Sequence, residues 1–528
     1  MKSQTRLLLL AACGLASLPS ATRADDWSMW GGSPSRNMVA RDKGPGPTDF
    51  DPDTGKNIKW VAGIGSQSYG NPIVANGMVF CGSNNEAQYD KNFNKDAGVL
   101  LAFDAKTGKF LWQAVSPKLA AGRVNDWPFQ GVCSSPLVEN NLLYYTTNRC
   151  ETVCFDVSPL MAGDPPKQVW KVDMMDKLGV FPHNMTSCSP VADENNVFII
   201  TGNGVDETHK NIPSPQAPAI VAFDKKTGEV KWSSNVPGER VLHGQWSSPA
   251  LADVNGKKLV IAPLGDGWVY AFDAKNGDIV WKFDSNRKNT IYPRTRNELI
   301  ATPVIVNNRM YIANGQDPEH GEGPGHLWCV DITKTGDISE ELPAGEAEQK
   351  AGQNEELLGP AGAGKAMKGK PNPNSGVVWQ FKEYDANKDG KIKGSERMNR
   401  AISTVAVSNG LVFAPDFSGF LHCLDADKGT LYWTYDMEAA MWGSPLVVGD
   451  KVYLCDEDGD VAIFNASKEE PKDPPTHNLG AAIYGTPVFA NGVLYIMAKD
   501  KVYAIQEGAQ SKPATAEAGS NGAADANK

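Results

Sequence analysis

A twelve-residue phrase that returns along the chain constrains its fold more than any other feature. It reads LAFDAKTGKFLW ending at Trp112, VAFDKKTGEVKW ending at Trp232, YAFDAKNGDIVW ending at Trp281 and HCLDADKGTLYW ending at Trp433. Each copy has an apolar run before an Asp, a Gly four residues after the Asp and a Trp four residues after the Gly. This is the chemistry of a β-hairpin. The Asp carboxylate accepts from the N–H groups of its own turn, the Gly takes the positive φ that closes it, and the Trp begins the return strand. Recurrence at roughly 40–50 residues implies stacked copies of one unit, each covering apolar surface its neighbour leaves open.

A second hairpin precedes each phrase, in copies such as NPIVANGMVF, SPLVENNLLYY, TPVIVNNRMYI and TPVFANGVLYI. Strand, Asn-Gly-like turn and strand form a strong hairpin signal. Two hairpins per unit give four strands, and eight units can be counted. The expected fold is all-β, an eight-bladed β-propeller of four-stranded antiparallel blades. The eighth unit ends at KVYAIQE without a last strand, whereas Asn57-Ile58-Lys59-Trp60 is a Trp-bearing strand with no partner before it. Residues 57–62 are therefore expected to close the eighth blade and remove an open edge. The propeller then spans 57–506, behind an N-terminal extension at 25–56. Two low-complexity stretches, 339–376 and 507–528, have little to bury and are expected to remain loop and tail.

Residues 1–24 resemble a signal peptide: Lys2 and Arg6, then LLLLAACGLASL, then small residues up to Ala24. This predicts an exported protein, periplasmic or extracellular, with no transmembrane segment. Leu10-Ala11-Ala12-Cys13 also matches a lipobox, so cleavage after Ala24 and lipid anchoring at Cys13 both stand. The net charge of −11 argues against a nucleic-acid partner. Cysteines in an exported chain suggest disulfides, but the repeat register points elsewhere. Cys154, Cys329 and Cys423 stand where other copies have Ala102, Ala222 and Ala271, and Cys81 and Cys455 match Ala313 and Ala414. These five are expected to be small buried thiols. Cys133 and Cys188, on corresponding strands of adjacent units, are the pair best placed for a bridge.

Between the fifth and sixth units, DANKDGKIKGSE (385–396) resembles the EF-hand calcium loop. Ca²⁺ is a hard ion that takes six to eight oxygens. Asp385, Asn387 and Asp389 would supply one each, Lys391 its backbone carbonyl and Glu396 two; Gly390 allows the sharp turn. Phe381 and Tyr384 match the aromatics before such loops, and Ile392 the residue that anchors a short β contact. Trp379-Gln380-Phe381 is also the outer strand of the fifth unit, so the incoming helix must be short or missing. The alternative is an Asx-rich surface turn without metal.

The AFDxxTGxxxW phrase and the [ST]-P-x-x-x-x-x-G strand pair, over residues 57–506, resemble the repeat of pyrroloquinoline-quinone (PQQ) β-propellers. That superfamily includes the quinoprotein alcohol dehydrogenases and the BamB outer-membrane assembly lipoproteins. The resemblance implies a central funnel, which in the dehydrogenases holds PQQ between a tryptophan and a vicinal Cys-Cys disulfide, with Ca²⁺ on an Asn and a Glu and an Asp as base. Asn203 falls on the position of the calcium-ligating Asn, and Trp246 on the Trp of a Trp-Asp pair, so both become cofactor-binding candidates if PQQ binds. Ser247 replaces the basic Asp, Leu264 lies where a lysine is expected, and Cys-Cys and CxxCH are absent.

Tyr69, Trp246, Trp442 and Tyr484 each stand three residues before the Pro that opens an innermost strand. Four aromatics at one register are expected either to rim the axial funnel and stack on a ligand or to fill the ring's centre. The histidines show no metal spacing, with His320 and His326 expected in solvent, and Asp456–Asp460 is expected to be a solvated turn. No catalytic residue is assigned. The leading expectation is a binding or scaffold module with a structural Ca²⁺ loop. Its protein or small-molecule ligand would dock at the funnel face or along loops 82–99, 203–218 and 314–326. The alternatives are a PQQ- and Ca²⁺-dependent alcohol or sugar dehydrogenase and a BamB-like envelope assembly lipoprotein.

Overall fold

The computed structural model describes residues 25–42, 44–291, 295–317, 323–346, 367–385 and 388–511. The leader with Cys13, His320, the loop residue Asn387 and the tail beyond 511 lie outside these residues. Eight four-stranded antiparallel sheets follow one another as the blades of a β-propeller. The first blade runs through Ile73–Ala75, Met78–Asn84, Ala97–Asp104 and Phe110–Pro117. The eighth takes Val488–Ala490, Val493–Met497 and Lys501–Gln510 from the C-terminal end and Lys56–Gly63 from the N-terminal end. Trp60 pairs with Ala504 and Val61 with Tyr503, so the N-terminal strand supplies the outer edge and the ring closes as the strand count required.

The repeat phrase fastens each blade to the next as well as forming a turn. Asp104 Oδ1 accepts from Thr107 N at 2.8 Å, and Gly108 closes the turn at φ 71°. The ring of Trp60, from the neighbouring blade, lies flat on that Gly, and its Nε1 donates to Ala105 O at 3.1 Å. The same docking recurs for Trp170 on Gly228, Trp232 on Gly277 and Trp379 on Gly429, with Nε1 donating to Lys225 O, Ala274 O and Ala426 O. A Cβ at any of these glycines would enter the indole. Across the sheet each Trp faces a small residue, Ala222 opposite Trp232 and Cys154, Cys329 and Cys423 opposite Trp170, Trp379 and Trp433. The three thiols are thus packing groups in the alanine position, and burial pushes each up to about 12. None of the eight described cysteines is paired, so a Cys133–Cys188 bridge is not formed.

At the axis a second device repeats. Asn71 N donates to Ser135 Oγ, Ser135 N to Ser189 Oγ and Ser189 N to Ser248 Oγ; Thr302 N donates to Thr404 Oγ1, Thr404 N to Ser444 Oγ and Ser444 N to Thr486 Oγ1. These are the Ser, Thr or Asn residues just before the innermost-strand Pro, or before Val405 where the sixth blade has no Pro. Proline has no N–H to offer, so the preceding residue carries the inter-blade bond through its own N–H and its side chain.

Residues 25–55 cross one end of the ring. Trp27 bridges to Val74 and Val39 to Val447. Arg36, fully buried, donates to Pro249 O at 2.8 Å, Trp30 O at 2.7 Å, and Ser189 O and Pro190 O at 2.9 Å. Backbone carbonyls satisfy the guanidinium in place of a carboxylate, and the extension plugs this end of the axial channel.

Two expectations need correction. The 339–376 insertion is paired at its base: Glu341–Glu346 forms an antiparallel ribbon with Met367–Pro371, and Gly336–Asp337 adds a parallel strand beside Ile279–Asp284 of the fourth blade. Main-chain pairing and buried Ser339 and Asn372 compensate for its lack of apolar residues. The closing strand of the eighth blade runs to Gln510, past the expected start of the tail at 507.

Candidate functional site

The open end of the axis is a cavity of about 510 Å³ with Trp30 of the plug among its lining residues. Tyr69, Trp246, Trp442 and Tyr484 all line it, because the register before each Pro aims the inter-blade segment at the axis. Tyr69 stacks on Tyr484 at 4.9 Å and 17°, and Trp442 stands edge-on to Tyr484 at 5.3 Å and 5.5 Å from Tyr69. Trp442 Nε1 donates to Glu457 Oε2 at 3.1 Å, which fixes the ring. Burial pushes the Tyr69 phenol up to about 12, so it stays a neutral hydroxyl at physiological pH. Gln67, Asn71, Gln130 and Asn184 add amide groups. One wall is thus a three-ring aromatic surface with neutral donors and acceptors beside it.

The opposite wall holds residues that local sequence spacing did not bring together. Trp246 lies 4.9 Å from His243 at 86°, and its Nε1 donates to His183 O at 3.1 Å. His183, His209 and His243 converge there, with ring centroids 4.3 to 5.0 Å apart. Asp317 Oδ2 lies 2.8 Å from His243 Nδ1, and both residues line the cavity. Burial, reinforced by His243, lowers His183 to about 3 and keeps it neutral. His183 stands seven residues before Pro190 and His243 six before Pro249, so the two do not share one repeat register and the fold brings them together. His209 and Asp317 come from loops between the second and third strands of their blades, where no local motif marks them.

Asn203 is not at the cavity. Its Oδ1 accepts from Phe181 N at 2.9 Å and its Nδ2 donates to Ser214 O at 2.9 Å, so the amide ties two loops together. Ser247 Oγ donates to Ala301 O at 2.8 Å, a bond between blades. Among the described residues the lining includes no lysine or arginine. PQQ is a polycarboxylate whose burial calls for cationic partners, and with Asn203 engaged elsewhere these residues do not fit it.

In the 385–396 loop, Asp385 accepts from Asp389 N at 3.2 Å and Gly390 N at 2.9 Å, while Asp389 Oδ1 accepts from Lys391 N at 2.7 Å. Gly390 takes φ 79°. Glu396, nearly buried, accepts from Lys393 N at 2.9 Å and ends a 3₁₀ turn, Gly394–Glu396. The loop lies between strand Val377–Phe381 and that turn, so no EF-hand helix flanks it among the described residues. Phe381 is buried, but Tyr384 and Ile392 are exposed, so the expected anchoring by Ile392 is not made.

One further expectation is reversed and another is refined. His326 is buried against Trp328, with ring centroids 5.6 Å apart, and burial lowers it to about 4. Asp456–Asp460 is a turn with Glu457 and Asp458 exposed, but Asp456 itself is buried and accepts from Asp458 N and Asp460 N.

The comparisons with known proteins agree with this architecture. The family model for outer membrane protein assembly factor BamB matches residues 20–121, 160–355 and 371–472, and the chain belongs to this family of PQQ-like β-propellers. Methanol dehydrogenase [cytochrome c] subunit 1 of Methylorubrum extorquens is 24% identical over 391 residues, covering 67% of this chain and 55% of that protein. The chain thus matches only about half of that relative's length. BamB from Moraxella catarrhalis superposes with a TM-score of 0.53 at 13% identity, over 85% of this chain and 99% of that one. A europium-containing methanol dehydrogenase gives 0.57 at 11%, covering 92% and 98%, and a quinohemoprotein alcohol dehydrogenase of Pseudomonas putida gives 0.56 at 13%, covering 93% and 81%. At these identities the superpositions establish the fold alone. Among the described residues no helix is long and apolar enough to cross a membrane.

Proposed function

We propose that this chain is an exported binding module of the BamB type, which captures polypeptide at the open end of its axis and uses the 385–396 loop as a structural calcium site. The observation that carries the reading is the Tyr69–Trp442–Tyr484 surface beside neutral amides. Fixed aromatics with few rotamers bind apolar and amide groups at low entropic cost. A partner of outer-membrane assembly presents alternating apolar and polar side chains with aromatics at the strand ends, which suit such a surface. Either processing of the leader, after Ala24 or at Cys13, is compatible with it.

The test uses a fluorescently labelled, unfolded outer-membrane β-barrel polypeptide and the purified chain. Fluorescence anisotropy should report saturable binding that weakens at least tenfold in Tyr69→Ala/Trp442→Ala, with circular dichroism unchanged. No binding by the wild type, or equal binding by both, overturns the reading. The mass of the mature N-terminus distinguishes lipidated from freely secreted protein.

The match to methanol dehydrogenase favours a second reading, a PQQ- and Ca²⁺-dependent alcohol or sugar dehydrogenase. The absence of lysine and arginine from the described lining and the engaged Asn203 oppose it. In the presence of CaCl₂, adding PQQ should produce no quinone absorbance band and no thermal shift beyond that of CaCl₂ alone; either would reinstate the enzyme.

A further inference from the structure

The three histidines on the Trp246 wall offer one ring nitrogen each, all within 4.8 Å of one another. We propose that His183, His209 and His243 form a binding site for a divalent transition metal of the zinc class, opening onto the axial cavity.

Imidazole nitrogens select borderline metals over Ca²⁺ or Mg²⁺, which take oxygen. The site is therefore chemically distinct from the 385–396 loop. Two of the ligands are pre-oriented. His183 Nδ1 lies 2.8 Å from Val205 O, a carbonyl that can only accept, so the proton sits on Nδ1 and the Nε2 lone pair is left for a metal. That Nε2 is buried without a hydrogen-bond partner, although His183 is only 2% exposed. Burying an imidazole lone pair unsatisfied is costly, and a metal ion would remove that cost.

His243 repeats the arrangement with Asp317 behind its Nδ1 at 2.8 Å, the carboxylate–histidine pairing that fixes ring orientation and strengthens the ligand. Asp317 is thus a positioning residue. Glu298, buried, has a carboxylate oxygen within 4.8 Å of ligating atoms of His243 and Asp317 and supplies negative charge that favours a cation.

Tetrahedral zinc with Zn–N bonds of about 2.0–2.1 Å needs nitrogens roughly 3.3 Å apart, so nitrogens at the 4.8 Å limit must draw together by up to about 1.5 Å. His209 is the one that can move: it is half-buried, at φ 56° in a loop turn held by Asp206. Three protein ligands leave a fourth position, and the cavity beside His243 is where water or a ligand's donor atom would enter.

The test is zinc titration of the chelator-treated full chain by calorimetry, with cobalt(II) as a spectroscopic stand-in. One zinc per chain should bind, and cobalt should give a visible d–d band typical of nitrogen ligation. His209→Ala, a loop substitution, should weaken zinc at least tenfold and abolish the band; Asp317→Asn should weaken it roughly tenfold. Asp385→Ala, in the calcium loop, should change nothing. Absence of zinc and cobalt binding by folded wild-type protein overturns the assignment. So does zinc binding that survives His209→Ala or is lost with Asp385→Ala.

Discussion

Thr486 donates its backbone N–H to Asn71 Oδ1 at 2.5 Å, joining residues 415 positions apart. It is the link by which the eighth blade returns to the first, and it belongs to the axial series of Ser, Thr and Asn bonds. Because Asn71 also donates to Ser135 Oγ through its backbone and its side chain, removing the amide breaks the closure and leaves a buried N–H at Thr486. Asn71→Ala should destabilise the fold by about 1–3 kcal/mol, measured as a lowered urea midpoint with an unchanged slope. A change under about 0.5 kcal/mol would mean that the Trp60–Ala504 strand pairing alone secures the ring.

The Trp-on-Gly docking makes a comparison within one blade possible. Gly277 and Gly256 have nearly equal positive φ, 78° and 77°, but a Cβ on Gly277 would lie 2.8 Å from the Trp232 ring while one on Gly256 meets nothing within 4 Å. Alanine at either position carries the left-handed backbone cost of about 1–2 kcal/mol. Only Gly277→Ala adds overpacking, about 1–3 kcal/mol more. Urea denaturation of the two variants should separate them by that difference; equal losses would show that the indole yields freely.

What could be read in the sequence follows from which interactions are local. The hairpin turn, the Trp strand and the unpartnered segment at Trp60 are encoded within a dozen residues, so blade number and closure were legible. The register also placed Tyr69, Trp246, Trp442 and Tyr484 in one cavity. Residues whose role depends on another blade were not legible. Asn203 matched a ligand position by alignment, yet its amide is taken up by Phe181 and Ser214. Asp456 and His326 look like solvated loop residues until neighbouring chain covers them. Arg36 lies in an extension without repeats, and only the ring it plugs gives it four carbonyls.

Asp266 links stability to pH. Complete burial raises its carboxyl to about 6, against hydrogen bonding from Tyr270 Oη at 2.8 Å and the attraction of Arg296. With the folded value above the unfolded one, the folded state holds the proton more tightly. The contribution is therefore fully present below about pH 4 and is lost as pH rises through about 6. Asp266→Asn cannot titrate. Relative to wild type it should look weaker at pH 4 than at pH 7, by a few kcal/mol. Urea midpoints of both proteins across this range test the sign; a difference that does not vary with pH would place Asp266 at an ordinary carboxylate value.

The calcium loop yields the last expectation. Asp385 gathers the N–H groups of Asp389 and Gly390, and Glu396 holds Lys393 N, so the described part of the loop is tied by two of its own candidate ligands. No second loop and no flanking helix stiffens it among the described residues, and Ile392 is exposed, so the dissociation constant should fall near the 10⁻⁴–10⁻³ M of extracellular modules, roughly. Calorimetry should find one Ca²⁺ on the wild-type chain, lost in Asp385→Ala and weakened at least tenfold in Glu396→Gln, which removes one charge. Equal calcium binding in wild type and Asp385→Ala, or none in either, would reduce the segment to an Asx-rich turn.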